Sequence, residues 1–115
     1  MADEKGFSTF SPVAIAKAIA AMVEKVPGIA GIGSGIFAEV ATYGPGTKVE
    51  GVVVGLDHDQ VTVEIHVIVA GPGPYPRLNL IDLADRVRRE VLRVLEKLHI
   101  DVVGRVDVVF DDVSP

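Results

Sequence analysis

The chain has 115 residues, the usual size of a single domain. It has no cysteine, which excludes disulfides and thiol chemistry, and its formal charge of −5 disfavours general nucleic-acid binding, since such domains usually present a basic face. No apolar run approaches the roughly 20 residues of a membrane span, and the N-terminus lacks the basic-then-apolar order of a signal peptide. We therefore expect a cytoplasmic protein.

The polar residues 1–10 predict a flexible N-terminus, and residues 11–113 a single domain. Ser11-Pro12 is a helix start signal, with serine as the N-cap and proline at the first helical position. Pro27-Gly28 is a stop signal. The apolar residues between them recur at helical spacing and predict a helix over about 12–25: Ile15, Ile19, Met22, Val23 and Val26.

The next segment is rich in glycine. Gly31–Gly35 invites comparison with a phosphate-binding loop, but such a loop follows a strand and opens a helix, whereas this one follows a helix. We interpret it as a flexible connector. Ile36–Thr42 fits either a short strand or a helical turn, and Tyr43–Thr47 predicts a turn.

Two strands are predicted next, over Val49–Leu56 and Gln60–Ala70. The short polar segment Asp57–Asp59 between them predicts an antiparallel hairpin. One histidine between two aspartates also raises the possibility of a metal site, but an exposed turn offers neither fixed geometry nor supporting ligands. We predict no metal and no cofactor.

The stretch Gln60–Ala70 alternates apolar and polar residues. Side chains alternate sides along a strand, so the pattern predicts one buried face and one largely polar face. The buried face would comprise Val61, Val63, Ile65, Val67 and Val69. The polar face would comprise Thr62, Glu64 and His66.

Prolines in Gly71–Pro76 predict a rigid connector, followed by a helix from Asn79 or Leu80 to His99. Its apolar stripe comprises Leu80, Leu83, Ala84, Val87, Val91, Val94, Leu95 and Leu98. Its charged middle is either an ordinary solvated face or a docking surface for an anionic or protein partner. That surface would include Arg86, Arg89 and Arg93.

Val102–Phe110 predicts the last strand, and Asp111–Pro115 an acidic tail. The predicted fold is α+β: a two-layer sandwich in the order helix-strand-strand-helix-strand, with both helices on one face of a small, three-stranded sheet. The second helix would provide the crossover into the last strand. The last strand would lie beside either Gln60–Ala70 or Val49–Leu56.

The sheet face without helices would carry Thr62, Glu64 and His66 together with Arg105 and Asp107. We interpret these residues as an interaction surface, and we expect homo-oligomers through this face or through an edge strand. An acid–base enzyme built on His66 is the alternative, but a flat open sheet lacks the pocket that perturbed catalytic groups need. A small nucleic-acid-binding or ligand-binding module is the other alternative.

Several segments, in this order and spacing, resemble a known family. They are Phe10–Val13 opening a helix, Val26–Ile29 closing it, Gly51–Val54, Val61–Val69, Val87–Val91 and Val102–Val113. Together they resemble the alkaline-shock, or envelope-stress-response, proteins of Gram-positive bacteria. The chain departs from many members in having Ala70-Gly71 where they have Tyr-Gly.

The resemblance implies a small, cytoplasmic, non-enzymatic protein that associates with itself. Some members of the family are held at the membrane by a membrane-anchored partner and affect cell-envelope homeostasis. The resemblance therefore extends the expected partners to a second copy of the chain and to such a membrane-anchored protein. It implies no catalytic residues.

Overall fold

The structure, a computed structural model, describes residues 11–36, 38–71 and 79–114. It contains two helices and six strands within these ranges. In chain order they are α1 (Pro12–Val23), β1 (Ile29–Ile32), β2 (Ala41–Gly44), β3 (Thr47–Glu50), β4 (Val52–Asp57), β5 (Gln60–Ala70), α2 (Leu80–Lys97) and β6 (Val103–Ser114). The predicted flexible N-terminus, 1–10, and most of the predicted proline connector, 72–76, lie outside the described residues.

β5 is the central strand of the main sheet. β6 runs parallel to it along one edge, from Val61 to Ala70. The opposite edge is shared by two antiparallel strands: β4 pairs with the first half of β5, and β1 pairs with Val67–Val69. The last predicted strand therefore lies beside Gln60–Ala70, which decides between the two arrangements that the sequence leaves open.

Both helices pack against one face of this sheet and against each other. The five apolar side chains predicted for the buried face of β5 are all buried in the core. Burial of each of these side chains stabilises the folded state by about 1.5–3 kcal/mol relative to leaving it exposed. From α1 the core receives Ile15, Ala16, Ile19 and Val23, and from α2 it receives Leu83, Val87, Val91, Val94 and Leu95. The predicted α+β class is confirmed.

Both helices begin where their capping residues predict. The Ser11 hydroxyl accepts a hydrogen bond from the Ala14 N–H, and the Asn79 side chain accepts from the N–H groups of Ile81 and Asp82. The ends differ slightly from prediction. α1 ends at Val23 and α2 at Lys97, each two residues early.

The region before β4 is more strand-rich than predicted. The segment taken as one strand, Val49–Leu56, is interrupted at Gly51, which has a positive φ of 84°. β2 and β3 form a separate hairpin, so the predicted turn at Tyr43–Thr47 shrinks to two residues between them. Thr42 fastens the hairpin to the main sheet: its hydroxyl donates to the Val52 carbonyl and accepts from the Val54 N–H.

The acidic tail predicted at Asp111–Pro115 is also corrected. Residues 111–114 continue β6 to Ser114, because the long central strand offers a pairing partner as far as Ala70. The predicted hairpin between β4 and β5 is confirmed. Its turn residues, His58 and Asp59, both have positive φ, at 52° and 64°.

Candidate functional site

The polar face of β5 carries the groups that sequence reasoning selects. Val53 on β4 and Asp107 on β6 lie opposite Glu64, on either side of it. The carboxylates of Glu64 and Asp107 therefore lie side by side on neighbouring strands and repel one another. Each has a cationic neighbour that offsets this repulsion. Arg105 Nε lies 2.6 Å from Asp107 Oδ2, and the His66 ring contacts Glu64.

A β-bulge in β6 brings a further carboxylate onto this face. Phe110 lies opposite Val67, and Asp112 lies opposite the next residue of β5, Ile68. Asp111 is therefore the extra residue, without a partner in the ladder. Bulges redirect side chains, and this one directs the Asp111 carboxylate to His66.

His66 is held by carboxylates at both ring nitrogens. Its Nε2 lies 2.7 Å from Glu64 Oε2, and its Nδ1 lies 2.7 Å from Asp111 Oδ1. Only 10% of the His66 side chain and 7% of the Asp111 side chain are exposed. We call this cluster of Glu64, His66 and Asp111 the histidine latch, because one ring joins β5 to β6.

The glycine-rich segment covers the latch. The Gly35 N–H donates to Asp111 Oδ2 at 2.8 Å, so the segment does bind an anionic group, but one from its own chain. A Cβ on Gly33 would lie only 2.3 Å from the same carboxylate oxygen, and this close approach requires glycine. Gly31–Gly35 is thus an ordered part of the site, and the prediction of a flexible connector did not identify this contact.

The backbone of His66 lies where β1 and β4 meet. Its N–H donates to the Gly51 carbonyl and its carbonyl accepts from the Gly33 N–H, both at 2.8 Å. A Cβ on Gly51 would lie 2.0 Å from the Gly33 carbonyl oxygen. The latch therefore fixes the point at which two strands share one edge of β5.

The pKa of His66 reflects two opposing effects. Burial favours the neutral ring and by itself lowers the pKa. The hydrogen bonds to Glu64 and Asp111 favour the charged ring, and together with the charges of these carboxylates they outweigh burial. The net effect raises the pKa of His66, so the latch favours an imidazolium between two carboxylates.

The latch leaves neither ring nitrogen of His66 free of a carboxylate. A general base needs a ring nitrogen within reach of its substrate, and both nitrogens of His66 are occupied by carboxylates. A cavity of about 240 Å³ adjoins the ring, lined by residues 35, 36, 38 and 40 of the covering segment and by His66, Val109 and Asp111. It adds no nucleophilic side chain to the latch.

The structure also places the remaining predicted residues. Thr62 and Glu64 are half-buried, Arg105 is exposed, and all three lie on the sheet face. His66 lies on the same face but is buried, with residues 35, 36, 38 and 40 beside it, so its expected role as part of an exposed contact surface is corrected. Arg86, Arg89 and Arg93 lie elsewhere, on α2 beside the end of α1.

Asp111 and the glycines at 33 and 35 are the site residues that sequence reasoning missed. Asp111 follows the last clearly alternating residue, Phe110, and its contact with His66 spans 45 positions. One signal was available: β5 is predicted with eleven residues, and a parallel neighbour of similar length would extend past Phe110.

Among the residues described, no group of three or more histidine, cysteine, aspartate or glutamate side chains is arranged to hold a metal ion. In the latch the two carboxylates bind opposite nitrogens and do not converge on one point. Likewise, no helix in the described ranges combines the length and apolarity that crossing a membrane requires. Comparisons of the chain with protein-family models, with curated proteins and with solved structures find no match.

Proposed function

We propose that this chain is a non-enzymatic interaction protein that associates with itself through the outer edge of β6. The proposal includes a cytoplasmic role in cell-envelope stress or homeostasis, with a membrane-anchored protein as a further partner. The resemblance to the alkaline-shock family supports this role. The structural observation that carries the self-association is the edge strand itself.

β6 is twelve residues long, and among the described strands it pairs only with β5. Its other edge carries backbone N–H and C=O groups available to a further strand, the usual template for pairing between chains. Arg88 Nε already donates to one of these groups, the Val106 carbonyl, at 3.2 Å. A carbonyl oxygen has two lone pairs, so this contact leaves room for a second donor.

A flank of α2 borders the same edge. Ile81 and Leu92 lie seven residues before and four residues after Arg88, so helical geometry places them on the side that faces β6. Ile81 is 75% exposed and Leu92 is 42% exposed. Pairing of two β6 strands around a two-fold axis would bring two such apolar flanks together and extend each sheet into its partner.

The charges along β6 favour this two-fold, antiparallel arrangement. When Arg105 lies opposite Asp112 of a second copy, the symmetry places Asp112 opposite the second copy's Arg105 as well. Both residues are exposed. Two cross-strand ion pairs would then form, and opposite charges directly across a ladder stabilise pairing.

Charge exchange tests the proposed register. We expect Arg105→Asp and Asp112→Arg each to weaken dimerisation at least about tenfold, because each places like charges opposite one another twice. The double variant Arg105→Asp/Asp112→Arg restores opposite charges and should recover most of the affinity. Sedimentation equilibrium measures all three variants, with Asp101→Arg as an exposed control outside the strand.

Two results would overturn the register. One is a double variant as weak as the sum of the single variants, since that would show no coupling between positions 105 and 112. The other is an equal loss in the Asp101→Arg control, since that would show a general charge effect. Deletion of the gene, followed by growth under cell-wall stress, tests the envelope role separately.

A further inference from the structure

A basic groove lies between the helices, on the flank of α2 that faces away from β6. Its apolar wall comes from the end of α1 and the turn after it, through Met22, Val26 and Pro27. Its charged lining comprises Lys25, Arg86, Arg89, Arg93 and Glu90. The groove has a volume of about 250 Å³ and is open to solvent.

The groove concentrates positive charge on an acidic protein. Four cations surround one carboxylate there, while the whole chain carries a formal charge of −5. Among the described residues, Lys25, Arg86 and Arg89 have no carboxylate within ion-pair distance. These three cations are therefore available to an anionic ligand.

Among the described contacts of the groove, the Glu90 carboxylate has a hydrogen-bond donor at only one of its two oxygens. Glu90 Oε1 accepts from Arg93 Nη1 at 2.7 Å. The second oxygen, Oε2, is buried and receives no hydrogen bond from any residue that the structure describes, and only 13% of the Glu90 side chain is exposed. A buried acceptor without a partner is costly, so a ligand that supplies a donor here gains affinity.

We propose that the basic groove binds an acidic segment of a partner polypeptide. Side-chain carboxylates of the segment pair with Lys25, Arg86 and Arg89, and a backbone N–H donates to Glu90 Oε2. An apolar side chain packs against Met22 and Val26. This surface lies apart from the β6 edge, so the inference does not depend on the proposed self-association.

The ligand must offer acceptors to the three cations and also donate a hydrogen bond to Glu90 Oε2. These two requirements favour a peptide over an anionic membrane. A surface of lipid phosphates offers the arginines acceptors but brings a like charge toward Glu90. A polypeptide carries its own N–H donors beside its carboxylates. The groove is also concave, with an apolar wall, which suits a single extended segment better than a flat lipid surface.

The probes are fluorescein-labelled decapeptides of glycine, serine and leucine that contain zero, two or four glutamates. Matched peptides carry glutamine at the same positions. We expect fluorescence anisotropy to show affinity that rises with the number of glutamates and weakens at higher salt. Sedimentation with phosphatidylglycerol vesicles is the parallel arm. Binding to vesicles without binding to peptides overturns the proposal, and so does equal binding of the glutamine peptides.

Matched variants locate the site. Arg86→Glu and Arg89→Glu should each weaken binding of the four-glutamate peptide by about tenfold or more. Lys17→Glu makes the same charge change at an exposed position of α1 and should change affinity by less than about twofold. An equal loss in all three variants would indicate a general charge effect and would overturn the site.

Glu90→Met distinguishes a hydrogen bond from simple attraction. Removal of the carboxylate makes the groove more positive, so electrostatics alone predicts tighter binding of an acidic peptide. Loss of the acceptor for a peptide N–H predicts weaker binding, by about tenfold. We expect weaker binding in a variant whose circular dichroism spectrum matches the parent protein. Tighter binding would overturn the assigned role of Glu90.

Discussion

The imidazole of His66 contacts carboxylates from two strands, and its backbone hydrogen-bonds to Gly33, which follows β1, and to Gly51, which precedes β4. Glu64 and His66 belong to β5, whereas Asp111 comes from the bulge in β6. The same Asp111 carboxylate accepts from the Gly35 N–H. This single cluster thus ties β6 and Gly35 to the central strand.

Substitution of Asp111 tests this structural role. We expect Asp111→Asn to lower the free energy of unfolding by about 1–3 kcal/mol, because it removes a charge-assisted hydrogen bond at a buried site. Asp101→Asn makes the same chemical change at an exposed position and should alter it by less than about 0.5 kcal/mol. Urea denaturation measures both. Equal effects of the two variants would mean that the latch contributes nothing specific to stability.

The raised pKa of His66 predicts how stability depends on pH. The stabilisation is fully present below the unfolded pKa of 6.5, where the ring is charged in both states. Above 6.5 the folded state holds the proton more tightly than the unfolded state does, so stability falls as pH rises through the folded pKa. The advantage of the parent protein over His66→Gln should therefore shrink toward alkaline pH.

Urea denaturation from below pH 6.5 to alkaline pH, on the parent protein, on His66→Gln and on His58→Gln, measures the effect. His58→Gln alters an exposed turn histidine and should follow the parent curve. An advantage over His66→Gln that grows with pH would show that the ring is held neutral, contrary to the geometry of two carboxylates around it.

Elements with a local signal were predictable from the sequence. The apolar–polar alternation of β5, which holds as far as Val67, identifies its buried face, and the caps at Ser11 and Asn79 identify where the helices begin. The hairpin turn at His58-Asp59 follows from its polar residues between two apolar strands. Each of these features is encoded within a few consecutive residues.

The missed elements depend on contacts between distant residues. β1, β2 and β3 have four residues each, too few to show a period, and β1 contains a glycine. The break at Gly51 exists because β1 and β4 meet along one edge of β5. Asp111 reaches His66 only through a bulge. Neither feature has a local pattern that would distinguish it from a loop.

Substitution of Gly51 tests the point at which β1 and β4 meet along the edge of β5. Gly51→Ala should cost about 3 kcal/mol or more, because its Cβ would lie 2.0 Å from the Gly33 carbonyl oxygen and its φ is positive. Gly46 has a positive φ of 67° but open space around it, so Gly46→Ala should cost only about 1–2 kcal/mol. Thermal and urea unfolding compare the two. Similar costs would show that backbone conformation alone requires glycine at position 51.

At the scale of the whole molecule, the three features occupy separate regions. The histidine latch lies beside residues 35, 36, 38 and 40, the basic groove lies between the two helices, and the outer edge of β6 lies beside the opposite flank of α2. Self-association through β6 would leave the groove accessible in both copies. A dimer would then present two acidic-peptide sites, which strengthens binding to a partner that carries two such segments.

The molecular mass in solution tests the proposed self-association most directly. One strand edge and two helix flanks make an interface at the small end of the stable range, so we expect dissociation in the micromolar range. Light scattering coupled to size-exclusion chromatography should therefore give a mass that rises with concentration from 12.2 kDa toward twice that value. A constant mass of 12.2 kDa at every concentration, up to hundreds of micromolar, would contradict it.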